Sequence, residues 1–151
     1  MKHYLGYAWG SINTLIGLIY VLPLLLLRWY SYSHAMKTPK GARALVFIVD
    51  FKKAPKWFGR SLTSFWYGRT FGNIIILRDL IDGDSAIHQS VHVDQYMKVG
   101  PFALPLYGLG WLAARLVGEN AYFMNPFEVA ARRYAGQPVD VRPIKKLKRR
   151  T

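Results

Sequence analysis

From Tyr4 to Leu27 the chain runs 24 residues without a charged side chain, and nothing else in it restricts the fold as much. As a helix rising 1.5 Å per residue this run would measure about 36 Å, enough to cross a hydrocarbon core of roughly 30 Å. Tyr7 and Trp9 near one end, and Trp29, Tyr30 and Tyr32 beyond the other, resemble the aromatic girdles that settle at lipid headgroups. Gly6, Gly10, Gly17, Ser11, Asn13 and Pro23 would weaken a helix in water, yet membrane helices tolerate such residues. The segment reads as a membrane-inserted or monotopic helix, with a buried core helix as the alternative. A cleaved signal peptide is a third reading, although the run exceeds a usual signal and lacks a small-x-small cleavage site before the basic stretch. Lys2 precedes it while Arg28, Lys37, Lys40 and Arg43 follow, an asymmetry that puts the body on the cytoplasmic side of a membrane. A soluble or virion-borne protein is the alternative localisation.

The 151 residues suffice for one core and little more. Lys and Arg number 21 against 8 Asp and Glu, a formal charge of +13, which calls for an anionic partner such as lipid or nucleic acid. The absence of cysteine excludes a disulfide scaffold, a thiolate nucleophile, an iron–sulfur cluster and any sulfur-based zinc site. A metal would have to be held by His and carboxylate. The C-terminal run from Lys145 to Arg150 is basic at five of six positions, either a solvated end or a contact for anionic lipid or nucleic acid. The chain divides by this reading into an apolar helix (1–33), a folded body (34–138) and a basic tail (139–151).

Pro39 and Gly41 mark a linker, and the β-branched, aromatic run from Ala44 to Phe51 predicts a first strand. Further apolar runs follow at 62–67 and 72–77, the second being the better strand. Asp84 or Ser85 is a suitable N-cap for a helix through about Met97, which Gly100 and Pro101 should end. The apolar stretch from Phe102 to Val117 carries Pro105, Gly108, Gly110 and Arg115. It reads as a packed helix returning antiparallel to its predecessor rather than as a second span. Asn125 and Pro126 have the cap-then-proline order of a last helix, reaching about Tyr134.

His88 and His92 lie four residues apart, hence on adjacent turns of one helical face, close enough to share a metal. Packed or surface histidines are the plainer reading of such a pair. A site needs a third ligand, and Glu128, 36 residues on, stands near the start of the last predicted helix, where an intervening helical hairpin would return it. Two His, one carboxylate and an open position make the layout of a catalytic zinc rather than a closed structural one.

The stretches HQSVHVDQYMKVGPF, from His88, and NAYFMNPFEVAA, ending at Ala131, resemble small bacterial and phage zincin-type metallopeptidases. Their pattern is HExxHxxQ, then Gly-Pro, then a Tyr and NPFE followed by Ala; the wider gluzincin layout likewise completes HExxH with a Glu from a later helix. The similarity covers roughly a third of the chain. It implies an α+β fold, a minimal zincin-like domain in which a small β-sheet accompanies the HExxH-type helix and a later ligand helix, here preceded by the apolar N-terminal helix. It also implies Zn²⁺ on His88, His92 and Glu128, with NIIIL (73–77) as the strand bordering the site.

Gln89 stands where the family has its catalytic Glu, which is no metal ligand but the base that deprotonates the water on the metal. A Gln can hydrogen-bond that water and cannot take its proton, so hydrolysis should fall by about 10² to 10⁴. The sequence fits both a natural pseudoenzyme and an enzyme trapped by replacement of Glu. Arg132 occupies the position of the family's second acidic residue, which steadies a ligand His; Asp94 or Gln95 are its substitutes, Asp94 from a different helical face. Tyr107 and Tyr122 are oxyanion donors or, more simply, packing residues among ten Tyr. Arg132 and Arg133 read as solvated, and His3 and His34 as interfacial or exposed. The expectation is a zinc-binding, metallopeptidase-like protein impaired at Gln89, taking an extended peptide or protein substrate along the strand at 73–77. The alternative is a non-catalytic structural or interaction protein of a membrane or larger assembly. A nucleic-acid binder would rest on charge alone.

Overall fold

In the computed structural model, residues 2–50, 52–55, 68–78 and 83–139 are described. The expected apolar run at 62–67 and the tail from residue 140 onward lie outside them. Helix α1 (Lys2–Leu26) is followed by strands β1 (Tyr30–Lys37), β2 (Arg43–Val49), β3 (Gly68–Phe71) and β4 (Ile74–Leu77). Helices α2 (Gly83–Val99), α3 (Ala103–Leu116) and α4 (Pro126–Tyr134) complete the order, with a 3₁₀ turn at Gly100–Phe102 between α2 and α3. The class is α+β.

The sheet is mixed, in the order β1-β2-β4-β3. β1 and β2 form an antiparallel hairpin, β2 and β4 run parallel, and β3 returns antiparallel along β4. All four residues of β4 are buried because β4 is a central strand with neighbours on both sides. That corrects the expectation that the NIIIL strand borders the site, since β3, an edge strand beside β4, is the one whose residues face the cleft described below. β1 was not foreseen, and neither was β3.

Alternating residues of the sheet build two cores. On one face Phe47, Val49, Ile74 and Ile76 pack with Val21 and Leu24 of α1. On the other, Ala44, Val46, Ile48, Ile75 and Leu77 pack with Val93 of α2. α1 thus contributes to the core of the body, and the division expected at 33/34 falls inside β1. A run of small residues sets how closely α1 approaches. A Cβ added at Gly10 would stand 3.6 Å from the Tyr96 carbonyl oxygen, and one at Gly6 3.2 Å from the Met97 Cβ. Between them and Gly17, the buried Asn13 donates from Nδ2 to the carbonyl of Gly100 at 2.7 Å. The helix stops at Arg28, which adopts a left-handed φ of 51° while the Trp29 amide closes back on the Leu24 carbonyl at 2.9 Å. This is the C-terminal capping geometry that usually uses glycine.

The outer face of α1 is exposed. By length and composition this helix is apolar enough to cross a bilayer, yet 28% of the segment is buried against the body. Helix α3 departs from expectation. Only Ala103 and Ala114 are buried along it, and its large apolar side chains face outward.

Tight packing at Gly17 yields a test of the docked helix. A methyl there would come within 2.9 Å of the Phe71 Cβ and 3.0 Å of its carbonyl oxygen. Gly17→Ala should therefore destabilise the protein by about 1–3 kcal/mol, as overpacked sites do, measurable in urea unfolding. Removal of residues 1–27 should leave an unfolded body by circular dichroism, because it strips Val21 and Leu24 from the core.

Candidate metal centre

Two helices converge on one buried cluster. Helix α2 presents His88 and His92 one turn apart, and α4 brings Glu128 from its first turn. The position of Glu128 is fixed by the cap before it: the Asn125 side-chain oxygen accepts from the Phe127 amide at 3.1 Å, and its Nδ2 donates to the Tyr107 carbonyl of α3 at 3.0 Å. One asparagine thus starts α4 and ties it to α3.

The His88 and His92 Nε2 atoms are 3.1 Å apart. His88 Nε2 lies 3.1 Å from Glu128 Oε2, and His92 Nε2 3.4 Å from Glu128 Oε1. The sequence-predicted ligands His88, His92 and Glu128 are therefore together, all buried, and form a group able to hold a metal ion. Hydrogen bonding settles which atom of His92 faces inward. Gln95 donates from Nε2 to the Phe127 carbonyl at 3.0 Å, and that acceptor can only be met by an amide nitrogen. The Gln95 oxygen is consequently the atom 2.7 Å from His92 Nδ1, so Nδ1 carries a proton, and in the neutral ring Nε2 turns a lone pair into the cluster. This is the support a metal-binding His requires.

The donor set fits a tetrahedral ion. Ligand atoms on such an ion at bond lengths of about 2.0–2.1 Å stand about 3.3 Å from one another, close to the spacings found here. Without a shared proton or cation, the same lone pairs repel at these distances. Burial alone would raise the Glu128 carboxyl, but hydrogen bonds and charge from His88 and His92 outweigh it and hold the group well below the usual carboxylate range, so Glu128 is ionised as a ligand must be.

Beside the cluster opens a cleft of about 290 Å³, bordered by β3, α2, the start of α3 and α4. Gln89 is buried at its wall. Its side-chain oxygen lies 2.8 Å from Thr70 Oγ1 of β3, which also lies 3.1 Å from the Gln89 carbonyl. Gly68 leaves the room, since a Cβ there would meet the Gln89 Cγ at 3.2 Å. Tyr107 donates to Glu128 Oε1 at 2.8 Å. Burial first, and the Glu128 charge second, raise the hydroxyls of Tyr107 and Tyr122, the latter to about 12 against an opposing contribution from Arg132. Both stay protonated donors at neutral pH.

Several expectations change here. Tyr107 is a partner of Glu128 rather than a packing residue. Of the two substitutes for a second acidic residue, Gln95 takes the role. Asp94 turns away and accepts from Thr38 Oγ1 at 2.6 Å and the Lys40 amide at 3.1 Å, pinning the β1–β2 turn. Arg132 is half-buried, with its guanidinium 4.9 Å from the Tyr122 ring centroid and 4.4 Å from that of Phe123, instead of solvated. Thr70 was missed, and no motif around it announced it. No protein-family model, curated protein or solved structure matches the chain.

The different duties of neighbouring residues are separable. His88→Ala, His92→Ala and Glu128→Ala should abolish stoichiometric metal in equilibrium dialysis with elemental analysis. Gln95→Ala should weaken metal affinity by about 10–100-fold through loss of His92 support. Asp94→Ala should keep the metal but lower stability by about 1–3 kcal/mol, because the Thr38 hydroxyl and Lys40 amide lose their acceptor.

Proposed function

We propose that the protein is a zinc-binding, zincin-like metallopeptidase relative whose hydrolytic step is disabled at Gln89. The observation that carries this reading is the convergence of His88 Nε2, His92 Nε2 and the Glu128 carboxylate at 3.1–3.4 Å beside an open cleft. Zinc is the ion favoured by two imidazoles and one carboxylate, and when bound it supplies Lewis acidity toward water and a carbonyl oxygen.

The chain's own groups define what else the cleft can do. β3 is the outer strand of the sheet and lines the cleft, and among the described residues no strand pairs with its free edge. An extended peptide adding there by main-chain hydrogen bonds would lie alongside the cluster. The expected strand at 73–77 cannot serve, because β4 is already bonded on both sides. Tyr107 and Tyr122 line the cleft, and the Tyr107 hydroxyl, which now donates to Glu128 Oε1, would have to leave that acceptor to meet negative charge developing there. Gln89 occupies the place of a base and offers only an amide, which donates or accepts a hydrogen bond but takes up no proton at neutral pH.

Exchange of one atom tests the reading. Gln89→Glu is nearly isosteric, so fold and metal content should persist while a carboxylate is restored. Hydrolysis of a generic peptide library should rise at least about 10²-fold over the parent chain, the lower range for a general base. A metal-loaded Gln89→Glu variant with no activity would instead favour the non-catalytic structural or interaction protein.

A further inference from the structure

Twenty of the twenty-three large apolar side chains exposed among the described residues lie in just two stretches, 4–27 and 102–117. The first is the outer face of α1 and the second is α3 with its flanks. Leu109 is 62% exposed, Leu116 78% and Val117 73%. Soluble monomers rarely show an apolar surface of this extent. The two faces are continuous, because the Trp9 ring of α1 packs 6.2 Å from Phe102 at the entry to α3.

How these faces meet a bilayer follows from the packing of α1. Its inner side touches the body along nearly its whole length, from Gly6 and Gly10 against α2 to Gly17, Val21 and Leu24 against β3, β4 and β2. Were α1 to stand upright across a membrane, it would draw these strands and the free edge of β3 into hydrocarbon, where unpaired backbone groups have no partner. An α1 lying flat has no such cost.

We propose that the protein is monotopic: α1 and α3 lie in the plane of an anionic bilayer, their outer apolar residues inserted and the sheet and metal cluster held above it in water. Charge selects lipid as the occupant. The chain carries +13, residues 4–27 carry no charge, and 102–117 carry only Arg115. Arg115 lies with its guanidinium 5.4 Å from the Trp111 ring centroid, an arrangement suited to the headgroup zone, where an aromatic ring and a cation both settle. Arg28 closes α1, and anionic headgroups are the complement to such a rim. The surface involves neither the metal nor Gln89. It does involve the cleft, whose wall includes Leu104 and Tyr107 of α3, so the cleft would open close to the lipid surface.

Flotation of the full-length protein with vesicles tests this. It should rise with vesicles of phosphatidylcholine and phosphatidylglycerol, rise less with phosphatidylcholine alone, and be released as salt increases. Leu109→Glu combined with Leu116→Glu should lower vesicle partitioning at least about tenfold without changing the circular dichroism spectrum. Trp111 fluorescence gives a second reading that needs no disruptive variant: brominated lipid should quench it, with that component absent in Trp111→Phe. Undiminished flotation of the double variant, or an unquenched Trp111, would overturn the insertion of α3. A detergent-free soluble dimer that ignores vesicles would overturn the proposal by showing that a second copy covers these faces.

Discussion

The backbone of α1 rides directly on α2 because Gly6 and Gly10 present no side chain at the crossing, and the Asn13 amide then locks the pair through the Gly100 carbonyl. Gly100 in turn has a φ of 60° and faces the Trp9 indole so closely that a Cβ would stand 2.3 Å from its Nε1. This crossing fixes where α2 ends and where α3 departs. With α1 on one side and Val93 in the sheet core on another, α2 turns buried polar residues two ways, Asp94 toward the β1–β2 turn and others toward α4 and β3. His88, Gln89 and His92 are buried there, facing the cleft and α4.

Two members of this buried polar cluster are held by partners outside it, His92 by Gln95 and Glu128 by Tyr107, whereas the buried Nδ1 of His88 has no hydrogen-bond partner among the described residues. Gln95 bridges the two ligand helices, giving its oxygen to His92 and its nitrogen to the Phe127 carbonyl beside Glu128. Tyr107 joins from α3 through its hydroxyl, while its carbonyl receives the Asn125 amide. Three helices are thereby coupled through two short polar chains. The remaining lone pairs point at one another, which is costly in a medium of low dielectric unless a cation or proton sits among them.

The elements that could be read in the sequence were those with a local chemical signature. Asp84, expected as the cap, stands inside the first turn of α2 and Gly100 follows its end, Asn125-Pro126 starts α4, and the runs around Val46 and Ile75 declare buried strands. β1 has no such signature, because YSYSHAMK mixes Ser, His and Lys into an edge strand whose pattern comes from pairing with β2. β3 has four residues, too few for a period to emerge. The triad was legible because helical spacing places His88 and His92 together and the resemblance named Glu128. Tyr107 and Thr70 were not, since their roles depend on how α3 and β3 pack and not on any neighbour in sequence. The exposure of α3 was hidden for a related reason: its composition suits either a packed or a lipid-facing helix, and only the position of α4 and α2 leaves its outer side uncovered.

Gln89 changes the charge balance of the cleft as well as its proton chemistry. A Glu at that position would put a second carboxylate beside the buried Glu128, and two such anions in a low-dielectric site need either a divalent cation or a proton to coexist. The amide removes one of them. Its side-chain oxygen accepts from the Thr70 hydroxyl, which also lies within reach of the Gln89 carbonyl, so Gln89 is held against β3 without a charge. With Gln89, Glu128 is the one carboxylate among the clustered residues, so less negative charge needs a counter-ion there than in a two-carboxylate site. An amide at position 89 therefore keeps the contact with Thr70 while adding no charge beside the buried Glu128.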